Sequence, residues 1–381
     1  MDFSLTEDQI SMRSEVIRFA RRELNDDVVA RDAANEFSLK GWRRCAKMGI
    51  QGLPFPREYG GSGADLVTLA VVMQALGYAC ADHGLLFAIA AQMVSVQMPL
   101  AQFGTEEQKA RYLQPMCSGE RIGAFCLSEP GSGSDAFGLS TTATRNGDCY
   151  VLNGSKTFIT NAPVADVFLV FATTDKGAGF MGITAFLVEK GSAGLMVGKP
   201  IGKLGLRTSP MSEVFLHECV VPAANRLGRV GMGQRLFTAS MQWERTLILA
   251  FGIGAMERQI EACVAYARER KQFGQPIGGF QAVANRIVDM QVRFETSRLL
   301  LYHAAWLLQQ GRLSDMEAAM TKLYVSESCL QSSLDAIQVH GGYGYTTECQ
   351  VERSLRDAVG GRLYSGTSEI QRNTIARSLG L

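Results

Sequence analysis

"RLFTASMQWERTLILAFGIGAMERQIEACVAYARERKQFG", residues 235–274, decides how this chain is built. Forty residues pass with few helix breakers, and Gly274 and Pro276 then close what reads as one long helical stretch. "FQAVANRIVDMQVRFETSRLLLYHAAWLLQQG" follows as a second long helix ending at Gly311, and a third runs from Met316 toward His340. Upstream the texture is different. Between Gly119 and Leu227, short β-rich runs ("IGAFCLS", "CYVLNGSKTFIT", "VADVFLVFATT", "GITAFLVEK" and "SEVFLHECVVP") are separated by Gly, Asn and Asp turns. "NGDCYVLNG" places an Asn-Gly turn before alternating residues, a hairpin signal. The first third is helical again. Thr6 with Gln9, and Thr105 with Gln108, have the spacing of a capping box, and "LVTLAVVMQALGYA" and "GLLFAIAAQMVSVQMPLAQFG" lie between them. Helices, then strands, then helices predict an α+β chain with segregated layers, divided at 1–119, 120–226 and 227–381.

The composition excludes several classes of function. Thirty-eight basic against 37 acidic side chains provide no field to attract nucleic acid or an anionic membrane. The most apolar region, Leu66 to Met98, is interrupted by Gln74, Asp82, His83 and Gln92, and so reads as buried helices. The N-terminus has neither the basic start nor the apolar core of a secretory signal, so a cytoplasmic location is expected. The nine cysteines form no Cys-x-x-Cys pair, which predicts reduced thiols, and the four histidines lack metal-ligand spacing. "GRVGMGQ" and "GGYGY" lack the strand or the third glycine of a nicotinamide-binding turn.

Four stretches point to a positive identity: "CLSEPGSGSD" (126–135), "VLNGSKTFITNA" (151–162), "RKQFGQPIGGFQ" (270–281) and "QVHGGYGY…RDA…LYSGTSEIQR" (338–372). In this order and at these separations they resemble acyl-CoA dehydrogenases over essentially the whole chain. The resemblance implies an N-terminal helical domain, a middle β domain and a C-terminal domain of four-helix-bundle type. It also implies FAD at a subunit interface and a homotetramer. Carried over by position, Phe125, Leu127, Ser128 and Ser134 would line the flavin ring and the acyl thioester, with Phe158 and Thr160 beside the ring. Most relatives have tryptophan at 158; phenylalanine keeps the stacking surface and loses the indole donor. Arg270, Phe273 and Gln281 would reach the FAD of a neighbouring subunit. Gln338, Gly341 and Gly342 would form a close turn on the same cofactor, with Thr367 and Glu369 at its adenosine side.

One departure bears on the chemistry. The family commonly reads Tyr-Glu-Gly-Thr-Ser in its C-terminal loop, where the glutamate removes the substrate's α proton. Here Ser365 follows Tyr364. A serine keeps the backbone N–H that meets the thioester oxygen, but it cannot take the proton. The isovaleryl and long-chain branches place the glutamate on the long helix instead, immediately before an arginine. "MQWERTLILAFGIG" puts Glu244 and Arg245 there. A lone helical glutamate is most often a solvated surface residue. Trp243 and the apolar run beyond Arg245 argue for semi-burial, and the paired exchange argues for the base. Glu129, Glu348 and Glu369 are the rival acids, at positions that are not catalytic in relatives.

Ser365 with Glu244 most resembles the branch acting on prolyl thioesters held by a peptidyl carrier protein, with Ser134, Tyr364, Ser365 and Arg245 facing the substrate. The product would be a pyrroline or, after a second oxidation, a pyrrole thioester. Electrons would pass to an electron-transfer flavoprotein or to dioxygen. A short or branched acyl-CoA dehydrogenase of isovaleryl or butyryl type remains the alternative. A nitroalkane-oxidase-like enzyme is disfavoured because those relatives use aspartate, and a non-catalytic scaffold would lack a flavin spectrum.

Overall fold

A computed structural model describes residues 4–381. Both capping boxes form: Thr6 accepts from Gln9 and Thr105 from Gln108, each with the reciprocal bond from the backbone N–H to the glutamine side chain. The apolar helix Leu66–Ala79 is buried almost all round. The run His83–Phe103 is apolar and long enough to cross a bilayer, yet 89% of its most apolar window is buried inside the protein. Within it, Met93–Gln97 is a π-helical turn, where the Met98 N–H reaches back to the Met93 carbonyl.

The strands are β1 (Gly123–Cys126), β2 (Thr142–Asn146), β3 (Cys149–Thr160), β4 (Val167–Thr173), β5 (Ile183–Glu189), β6 (Leu195–Val197), β7 (Met211–Pro222) and β8 (Arg226–Leu227). They form one sheet in the order β6-β7-β3-β2-β4-β5-β8, and β1 runs parallel to β4. Strand pleating sends alternate residues of β4 to opposite faces. Val167, Leu169 and Phe171 pack into the core shared with the helices, while Phe168, Val170 and Ala172 join a second core inside the β region. The hairpin signal holds with a one-residue shift: Asn146 pairs with Cys149, so Gly147-Asp148 is the loop and Gly147 takes the positive φ of 58°.

The opening stretch is two helices, not one. Gly233–Leu247 stops, and Ala250–Glu269 begins after a two-residue break at Ile248–Leu249. The second packs on Leu66–Ala79 at backbone distance. A methyl on Gly254 would lie 1.9 Å from the Gln74 carbonyl oxygen, and one on Gly77 would lie 1.8 Å from that of Phe251. Nor do Gly274 and Pro276 cap a helix. The helix ends at Glu269, and Lys271–Gln272 and Gln275–Pro276 form a hairpin whose two loop residues, Phe273 and Gly274, both have positive φ. Gln281–Gln309 and Asp315–His340 complete the C-terminal helices, with Gly311 left-handed after the first and a Ser314–Glu317 capping box opening the second.

Candidate active site

The turn-rich segment 127–141 follows β1 and leads into β2. A buried ion pair anchors this segment. Lys156 Nζ lies 2.7 Å from Glu129 Oε1 and also donates to the Leu127 carbonyl. Glu129 takes further hydrogen bonds from the backbone N–H groups of Ser140 and Thr141. Burial alone would raise its pKa, but the bonds from Lys156, Ser140 and Thr141 outweigh that and hold it at about 2. Glu129 is a structural acid with its oxygens occupied.

Beside this anchor, β3 slips register against β7 between Lys156 and Ile159. Thr157 donates to the Ser128 carbonyl, and Phe158 takes φ 56°, a conformation uncommon for any residue except glycine. The bulge turns the Phe158 ring outward, leaving it 65% exposed. Thr160 follows at the strand end, partly exposed, and Ser134 is fully exposed on the loop. Leu127 is buried and Phe125 half-buried against Phe171, so both support this surface from below.

Glu244 comes from the helix Gly233–Leu247. Ser365 Oγ donates to its Oε1 at 2.6 Å, and Ser95 Oγ donates to its Oε2 at 2.8 Å. Ser365 itself is left-handed, at φ 58°, and is followed by Gly366 at 85°. Gln371 Nε2 donates to the carbonyls of both residues, and Lys322 Nζ donates to that of Gly366 at 2.7 Å. Their carbonyls are therefore fixed, while the Ser365 N–H has no acceptor among the described residues. Burial raises the pKa of Glu244 above the usual carboxylate value; the two hydroxyls, Arg245 and Lys322 oppose that rise without cancelling it. Arg245 is partly buried, and its Nε has no hydrogen-bond partner among the described residues, so it is an orphaned donor next to the carboxylate. Tyr364 packs against Phe87 with ring centroids 4.6 Å apart and planes tilted by 40°. A cavity of about 30 Å³ lies beside Tyr364, lined by Leu249, Met256 and Cys329 among others. That is room for about one or two waters.

The remaining sequence-predicted residues form a separate cluster. Arg270 lies over the Tyr343 ring at 5.8 Å, and Phe273, 92% exposed at the hairpin tip, meets Phe280 edge-on next to Gln281. Gln338 is exposed near the end of its helix, and Gly341 and Gly342 follow with open space where side chains would project. No hydrogen bond, ion pair or ring contact among the described residues joins this cluster to Phe158 or Glu244. Thr367 caps the helix Ser368–Ser378 and Glu369 is exposed in its first turn; Glu348 is exposed on a short turn. Sequence reasoning missed Ser95, Lys322, Gln371 and the role of Lys156. Lys156 and Gln371 lay inside motif stretches that had been singled out; Ser95 and Lys322 did not.

A carboxylate of raised pKa, a neighbouring unpaired N–H and an outward aromatic on a strained bulge fit a flavin and a carbonyl substrate. The arrangement is that of a flavin-dependent dehydrogenase. The profiles "Acyl-CoA dehydrogenase, N-terminal domain", "middle domain" and "C-terminal domain" match residues 6–120, 124–219 and 231–380. An L-prolyl-[peptidyl-carrier protein] dehydrogenase of Pseudomonas fluorescens is 41% identical over the full length of both chains. Two solved structures are also similar. The prolyl acyl carrier protein oxidase AnaB is 46% identical with a TM-score of 0.98, covering 99% of this chain and 100% of its own. PigA with FAD and proline is 40% identical with a TM-score of 0.97, covering both chains in full. The chain belongs to the acyl-CoA dehydrogenase family. It is an oxidoreductase, and FAD is its cofactor.

Proposed function

We propose that the protein oxidises a prolyl group carried as a thioester on a peptidyl carrier protein, yielding a pyrroline thioester or, after a second turnover, a pyrrole. The observation that carries this reading is the 2.6 Å bond between Ser365 and Glu244: the loop that lacks a carboxylate meets the helix that has one. Similarity to prolyl-carrier dehydrogenases and oxidases supports the substrate.

Glu244 takes the proton from the prolyl Cα. Its raised pKa narrows the gap to that feeble carbon acid, while the two hydroxyls keep the carboxylate aimed. As negative charge develops on the thioester oxygen, the free N–H of Ser365 is placed to receive it. FAD, when bound, supplies the hydride acceptor. The Phe158 ring and the Thr160 hydroxyl would hold the flavin, with Ser128 and Ser134 at its edge. Arg270, Phe273, Gln281, Gln338, Gly341 and Gly342 would clasp the cofactor of an adjoining subunit, with Thr367 and Glu369 toward its adenosine, in a homotetramer. The electrons then leave to an electron-transfer flavoprotein or to dioxygen.

The test is anaerobic bleaching of the bound flavin by prolyl-loaded carrier protein and, separately, by isovaleryl- and butyryl-CoA. Mass spectrometry then counts hydrogens lost from the prolyl group. Bleaching by the carrier substrate with loss of two or four hydrogens is expected. Bleaching by the CoA esters alone would overturn the substrate and leave the class intact.

A further inference from the structure

Ser95 lies 149 residues before the carboxylate it touches and outside every stretch matched to a motif. It is 3% exposed, in the π-helical turn Met93–Gln97. A buried helical serine ordinarily donates to the carbonyl one turn back. Ser95 instead donates across the helix interface to Glu244 Oε2. The wider turn makes this possible: Val94 and Val96, on either side of it, stay in the core at 1% exposure, while the hydroxyl between them is presented to the base. π-Turns of this kind are frequently found at functional sites.

We propose that Ser95 is a positioning residue for the base: with Ser365 it clamps one carboxylate oxygen each, fixing the plane of the Glu244 carboxylate and favouring its ionised form. This rests on Glu244 being the base. The other groups facing that carboxylate are Arg245 on its own helix, Lys322 from Asp315–His340, and the phenol of Tyr364 from the terminal loop. None of them replaces the Ser95 bond, since Lys322 donates to Gly366 and the Arg245 Nε has no partner. A hydrogen bond to an ionised acceptor lowers its pKa, so removing Ser95 raises that of Glu244 further.

The experiment measures the rate of flavin reduction in the FAD-loaded enzyme against pH, for wild type, Ser95→Ala, Ser95→Thr and Glu244→Gln. Ser95→Ala is expected to move the acid limb upward by about one pH unit. The loss is then about tenfold below the limb and shrinks toward alkaline pH. Ser95→Thr, which keeps the hydroxyl, is expected to restore the limb. Infrared difference spectra against Glu244→Gln follow the carboxyl itself and should show the same upward shift in Ser95→Ala without substrate. An unmoved limb, or a loss of equal size at every pH, would overturn the clamp. A Glu244→Gln variant that still reduces its flavin would show instead that the base assignment beneath it had failed.

Discussion

Glu129 and Glu244 both sit against the protein interior within a short span of hydroxyl groups, and their acidities move in opposite directions. Glu129 meets an ammonium, two backbone N–H groups and the Ser140 hydroxyl, and its pKa falls to about 2. Glu244 meets two hydroxyls, with Arg245 and Lys322 near but not bonded to it, and burial wins. Burial alone therefore does not settle the direction in which a carboxylate's pKa moves. What decides is whether a cation is bonded to the carboxylate or held just out of reach.

Four substitutions press on that contrast. Glu244→Gln keeps the shape of the side chain and removes the proton acceptor. Flavin reduction by substrate should fall by about 10²–10⁴-fold while FAD stays bound, as stopped-flow absorbance would show. If Glu129→Gln produced that kinetic loss and Glu244→Gln did not, the two roles would be reversed. Lys156→Met strands Glu129 as a buried, uncompensated charge and should cost about 3–5 kcal/mol of stability, measured by denaturant unfolding. The sign of the pH dependence follows from the depressed pKa. Wild-type stability from this pair is fully present above the ordinary glutamate value of 4.5 and is lost as pH falls toward about 2. Ser365→Ala removes one hydroxyl from the base and leaves the backbone donor, so reduction should slow by only about tenfold, mostly on the acid side. Equal losses in Ser365→Ala and Glu244→Gln would contradict this division of labour.

Much of this was legible in the chain. The order of helices and strands follows from texture, both expected capping boxes form, and the exchange of a loop carboxylate for a helical one picked out Glu244. What escaped depended on tertiary geometry. Nothing in "TLILAFGIG" signals the break at Ile248–Leu249, which comes before its first glycine and without a proline. Gly274 carries the same local signal in a helix cap and in a two-residue hairpin, and the hairpin was chosen by contacts beyond it. Ser95 could not be read from sequence, since a π-turn has no composition of its own and its partner lies on another helix.

The reciprocal fit of Gly77 and Gly254 limits how such a chain can be recombined. Each lacks a side chain because the other helix's backbone occupies that space, and in the sequence one precedes the β region and the other follows it. A chimaera that takes its first 120 residues from one relative and the remainder from another must inherit compatible glycines at both ends. A single alanine at either place would prise the two helices apart. The three segments are separate as sequence profiles, but as grafts they are inseparable.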